Sequence, residues 1–117
     1  MSNDIIRRDP NDRFCRTVEY NGMVFVAGIT AEDRSQNMKG QTEQIFKRID
    51  ALLAAAGTSK SRLLQAVCYV TDMRDKDGMD AAWKAWIDPN GKPVRATVEV
   101  RLGTPDTLVE IMVTAAK

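Results

Sequence analysis

The sequence contains no histidine. That absence removes Ser-His and Cys-His nucleophilic pairs and most zinc sites, because both depend on imidazole. Chemistry must then come from Arg, Glu, Asp, Lys, Tyr, Thr, Cys, backbone groups and water. Cysteine is scarce as well. Cys15 and Cys68 lie far apart without metal-ligand spacing and read as two reduced thiols. No apolar run approaches the 18 or so residues that a membrane-spanning helix needs, so no membrane partner is expected. Neither sign of charge dominates: 17 basic residues face 16 acidic ones, a net charge of +1. Nucleic-acid binding proteins carry a basic face, often interleaved with aromatics, and this composition supplies neither. No Gly-rich phosphate loop, internal repeat or low-complexity tract occurs. The opening stretch MSNDIIRRDPNDR lacks the apolar centre of a secretory signal, so the expected location is cytoplasmic.

What is present fits one domain over residues 1–117, with a core modest enough that self-association would help it. Residues 1–13 form a polar lead-in. FCRTVEY and MVFVAGI flank Asn21-Gly22, a pair suited to the positive φ angles of a type I′ turn, so residues 14–29 read as a hairpin. TAEDRSQNMKG is a polar loop. QTEQIFKRIDALLAAA (41–56) places Ile45, Ile49, Leu52, Leu53 and Ala56 on one helical face, and Gly57 can end that helix. LLQAVCYVTD (63–72) is a strand. MDAAWKAWI (79–87) repeats at helical spacing and is stopped by Asp88-Pro89-Asn90-Gly91. VRATVEVRL and LVEIMVTAA are the last strands, joined through GTPDT. The predicted order is β-β-α-β-α-β-β, an α+β layer with two helices on one face of a mixed sheet. The other face then lacks cover and is a natural subunit interface holding a polar pocket. Alternation sets Val94, Ala96, Val98 and Val100 on one face and Arg95, Thr97 and Glu99 on the other.

Arg95 is the strongest functional candidate, because a guanidinium presents a rigid fork that matches a carboxylate through two parallel hydrogen bonds. The structural alternative is a salt bridge with Glu99 or Glu110. Glu110 lies between Leu108 and Met112 on its face. A carboxyl with apolar neighbours loses hydration and becomes suited to holding or delivering a proton; its alternative role is to pair with an arginine. Glu99 reads as structural. Phe14 could wall a small ligand, with core packing as the default for it and for Tyr20. Trp83 and Trp86 read as core, and Cys68 as inert. Cys15 has Arg13 and Arg16 near in sequence, a weak sign of thiol reactivity. Lys92 reads as solvated.

Several segments taken in order, NGMVFVAGI, LLAAAG, LLQAVCYVTDM, KPVRATVEV and LVEIMVTAA, resemble the RidA/YjgF family over nearly the whole chain, with AAWKAWI and PVRATV closest to its YoaB-like branch. The resemblance implies a chorismate-mutase-like fold and a homotrimer whose sheets line a central barrel, with pockets between adjacent subunits. It implies hydrolysis of enamines and imines, such as 2-aminoacrylate, to 2-keto acids and ammonia, with no metal or organic cofactor. By the same resemblance Arg95 looks like the carboxylate-binding arginine and Glu110 like the acid that orients water. Gly28 lies in the substrate-binding segment VAGI. Three positions depart from the best-known deaminases: Thr97 replaces a cysteine, Phe14 a tyrosine and Ala27 a serine. The implied partner is a small carboxylate metabolite. Rival readings are a non-catalytic binder of 2-keto acids and an RNA-acting protein, since relatives are often labelled endoribonuclease or translation inhibitor; the near-neutral charge counts against the second rival.

Overall fold

The computed structural model describes residues 4–117, so the first three residues of the polar lead-in lie outside the described residues. Six strands form one sheet: β1 (Ile6–Pro10), β2 (Cys15–Tyr20), β3 (Met23–Val26), β4 (Leu63–Val70), β5 (Val94–Glu99) and β6 (Val109–Ala116). Helix α1 (Met38–Ala55) joins β3 to β4, and helix α2 (Lys76–Trp86) joins β4 to β5. The spatial order is β1-β2-β3-β6-β4-β5. Only β4 and β5 run parallel; every other pairing is antiparallel. The expected α+β architecture is present, with one strand more than the sequence suggested.

That extra strand is β1. Its sequence, IRRDP, has no apolar alternation, so nothing in the local pattern marks it as a strand. Its partner holds it. Arg8 pairs with Glu19 on β2 at 2.9 Å, and Lys117 reaches the other Glu19 oxygen at 3.0 Å. One buried carboxylate thus ties β1, β2 and the chain terminus together. A charged edge strand also resists pairing with stray chains. The hairpin between β2 and β3 turns at Asn21 and Gly22, with φ of 54° and 77°, as a type I′ turn requires. Helix α1 begins three residues earlier than its apolar periodicity, because the Asn37 side chain accepts from the Gly40 amide at 2.9 Å.

The core lies between the sheet and the two helices. Val24, Val26, Ala66, Cys68, Val70, Val109, Ile111, Val113 and Ala115 point at Ile45, Ile49 and Leu53 of α1 and at Met79 and Ala82 of α2. Each strand contributes alternate residues, so the intervening side chains must face away from the helices. They include Val18, Phe25, Met112, Val94 and Val98, with Val94 69% exposed. No described element covers this face. It displays large apolar side chains among polar ones such as Gln65 and Thr114, and exposed apolar side chains grouped on one face mark an interaction surface.

Glu19 carries a pH signature. Its carboxyl lies below the usual range, held down by hydrogen bonds from Lys117 and Arg8 against a smaller opposing effect of burial. A carboxylate with a depressed folded-state pKa stabilises above its unfolded value and loses that contribution as pH falls through the folded one. Glu19→Gln should therefore have a lower urea midpoint than wild type at pH 7, with the gap narrowing steadily toward pH 3. A gap independent of pH would contradict this.

Candidate functional site

Arg95 sits on β5, the outer strand of the sheet, and the register places it beside Ala66, a core residue. Its side chain therefore runs along the helix-covered side, toward α2. Alternation alone left open which side of β5 the helices cover, and the register with β4 decides it. Neither expected partner is used. The ion pair is with Asp80 of α2, at 2.9 Å from Nη1 to Oδ1. Glu99 instead accepts from the Met73 amide at 2.8 Å. The guanidinium also lies over Trp83, 4.9 Å from the ring centroid, within cation–π range. Lys76 holds the second Asp80 oxygen. Burial alone would raise the Asp80 carboxyl, but Lys76 and Arg95 outweigh it and hold the carboxyl below its ordinary value.

An open cavity of about 300 Å³ adjoins the guanidinium, lined by Asp80, Trp83, Lys84, Ile87, Lys92 and Arg95. It has a cationic rim and an apolar wall, a composition suited to a small organic acid. Lys92, expected to be simply solvated, is exposed on this rim. Thr97 shares the Arg95 side of β5 and is half-buried opposite Cys68 in the register.

Glu110 belongs to a different place. It lies on β6 next to Tyr69, on the uncovered face and half-buried. Its carboxyl rests against Gly28: a β-carbon added there would come 3.0 Å from the carboxyl carbon, with the nearer oxygen closer still. Gly28 leaves room for the carboxyl in this position, and a side chain there would push the Glu110 carboxyl aside. The backbone there is fixed by Ala27 N–H donating to Arg16 at 2.8 Å and by paired bonds between Ile29 and Ile111. Phe14 is 44% exposed rather than core, and Arg16 covers its ring at 5.2 Å. Tyr20 is exposed too, so core packing fails for both aromatics. In one chain, then, the candidate residues fall into two groups on opposite sides of the sheet. Arg95 and Thr97 form one; Gly28 and Glu110 form the other, with Ala27 beside Gly28.

The tryptophans pack against the core as expected, Trp86 stacked on Phe46 at 4.1 Å and Trp83 edge-on to it at 6.0 Å. Trp83 has the second task of supporting Arg95. Asp80 was missed by sequence reasoning. Its signal was spacing: Lys76, Asp80 and Trp83 fall at i, i+4 and i+7 on one face of α2. Among the described residues no group of three or more Cys, Asp or Glu is placed to hold a metal ion. No helix among them is long and apolar enough to cross a membrane.

Cys68 is fully buried, and burial pushes its thiol up to about 11, with Arg95 opposing weakly. Cys15 is half-buried. Titration with a thiol reagent at pH 8 should therefore modify at most one thiol per folded chain and both after unfolding. Modification of Cys68 in the native protein would contradict this packing.

Comparison with known proteins agrees with this fold. Residues 5–117 match the family model described as Endoribonuclease L-PSP. A RutC family protein from Haemophilus ducreyi is 42% identical over 112 residues, covering 96% of both chains. The RutC family protein YoaB from Escherichia coli is 34% identical, covering 96% of this chain and 97% of its own. A solved structure of a YjgF family member from Neisseria meningitidis superposes with a TM-score of 0.94 at 36% identity, covering 98% of this chain and 96% of that one.

Proposed function

This chain belongs to the Endoribonuclease L-PSP family of RutC and YjgF proteins, and from that premise we propose that it is an enamine and imine deaminase acting on small 2-imino acids at a site shared between copies of the chain. The observation that carries this reading is Arg95. Its guanidinium lies over Trp83 and borders a cavity with a cationic rim, a setting suited to one carboxylate.

The shared site follows from the two-sided placement of the candidates. Arg95 and Glu110 face opposite sides of one sheet and cannot both reach a molecule of a few heavy atoms bound to a single chain. A second copy docked on the uncovered face would bring its own carboxylate group to the Arg95 edge. A homotrimer, with one such junction per pair of neighbours, meets that requirement.

The chemistry asks little of the protein. An enamine of a 2-keto acid takes a proton on its terminal carbon and becomes an iminium. Water adds to the C=N carbon, a proton moves from oxygen to nitrogen, and ammonia leaves as the C=O bond forms. Arg95 fixes the carboxylate, and Glu110, through an ordered water, relays the protons. The iminium is already electrophilic, so positioning and one acid–base group suffice. Neither imidazole nor a cofactor is required for these steps.

The alternatives differ in outcome. Imino acids made in place by an amino-acid oxidase can be trapped by semicarbazide, and the protein should compete with the trap. Losing a charge-assisted contact worth about 1.5–3 kcal/mol predicts a fall of roughly ten- to a hundredfold or more in kcat/KM for Arg95→Ala. Sedimentation should give a trimer for both proteins. Saturable 2-keto acid binding without faster turnover would replace the enzyme by a metabolite binder, and RNA cleavage surviving Arg95→Ala would replace both. A monomer at micromolar concentration would remove the shared site.

A further inference from the structure

We propose that Asp80 is the positioning residue of the Arg95 anion clamp, holding the guanidinium in place on Trp83 before any ligand arrives. This rests on the reading of Arg95 as a carboxylate clamp and adds to it a residue on another element.

The argument begins with the geometry of α2. Lys76, Asp80 and Trp83 share one face, and each makes a contact in a single chain of charges. Lys76 takes Oδ2 of Asp80, Arg95 stands 2.9 Å from Oδ1, and the guanidinium carbon lies over the Trp83 ring, 4.9 Å from its centroid. The Asp80 side chain is largely buried, at 19% exposure, so water competes weakly for either oxygen. A carboxylate is the only side-chain group of that length offering an acceptor to both cations. An amide would turn its NH₂ toward one of them.

An arginine already paired with an acid would ordinarily be a poor anion receptor. Two features remove that objection. First, the charges do not cancel: Lys76, Arg95 and Asp80 sum to one positive charge, and Lys84 and Lys92 add to it at the cavity rim. Second, the Arg95 contact is made through Nη1, 2.9 Å from Oδ1, and neither Nε nor Nη2 makes a hydrogen bond among the described residues. The ion pair therefore restrains the fork and leaves its Nε and Nη2 edge for a ligand carboxylate. A free arginine side chain gives up rotamer entropy on being fixed. Here the protein has fixed it in advance, and binding gains accordingly.

The test reads Arg95 directly. In ¹⁵N spectra, with the Arg95 signals assigned by their loss in Arg95→Lys, slow rotation of the guanidinium is expected in wild type and fast averaging in Asp80→Asn. Averaged signals in wild type, or signals unchanged by the substitution, overturn the proposal whether or not the protein is a deaminase. In the semicarbazide assay, Asp80→Asn should lower kcat/KM about tenfold, the scale of one charge-assisted contact, and should have no further effect in an Arg95→Ala background. Asp50→Ala, which removes the Trp86 hydrogen bond at 3.0 Å between the helices, controls for simple loosening of α2. An equal loss in Asp50→Ala, or wild-type kcat/KM in Asp80→Asn, overturns the positioning role. If wild type shows no imine hydrolysis, the deaminase reading fails and the spectra still decide this one.

Discussion

The constraint behind every functional feature is that two helices cover one face of a six-stranded sheet while no described element covers the other. A chain of this size has enough residues for two layers and too few for three. The buried layer therefore takes one set of alternate residues from each strand, and the remaining set is displayed. Because strand side chains alternate strictly, a functional group's position in the register decides its side of the sheet. Arg95 falls in step with Ala66 and goes to the helix side; Glu110 falls in step with Tyr69 and goes to the open side. Their separation is a consequence of register, and no change of rotamer within one chain undoes it.

Charge placement follows the same logic. Arg95 on the helix side of an outer strand would face a low-dielectric core if α2 were apolar throughout that face. The cost of such a charge is large unless it is paired. Helix α2 meets this with two residues one turn apart, Asp80 for the charge and Trp83 for the cation–π contact. Lys76 then keeps the group from becoming neutral. The same helix buries Met79 and Ala82 on its other flank. An eleven-residue helix thus closes the core with one stripe and carries an arginine support with the next.

The features readable in the sequence were those set by local rules. Asn21-Gly22 declared its turn, Gly57 its positive φ of 82°, and the apolar spacing of Ile45, Ile49 and Leu53 their helix. The features that escaped were set by distant partners. Strand β1 exists because Glu19 and β2 receive it, and nothing within IRRDP reveals that. Alternation in VRATVEV separated Arg95 from Val94 and Val98 correctly, but which set faces the helices depends on the register with β4, which no local pattern contains. The same gap hid Asp80, whose partner lies fifteen positions along the chain across a loop. Phe14 was placed by default in a core that closes without it.

The departures at positions 14, 27 and 97 bear on what a clamp of this kind can discriminate. With Phe14 and Ala27 in place of hydroxyl-bearing residues, the proposed site would keep its charge recognition and have fewer groups able to hydrogen-bond a polar substituent. Beside Arg95 the cavity wall is Trp83 and Ile87. An apolar wall separates substrates that differ by one methylene by only about 1–3 kcal/mol, whereas a wall built to hydrogen-bond a hydroxyl rejects its absence far more strongly. A molecule held by its carboxylate against such a wall is selected chiefly for being a small acid with an apolar side chain. The deaminase proposed above would need that breadth, because imino acids share a reactive C=N group next to a carboxylate and differ in the rest.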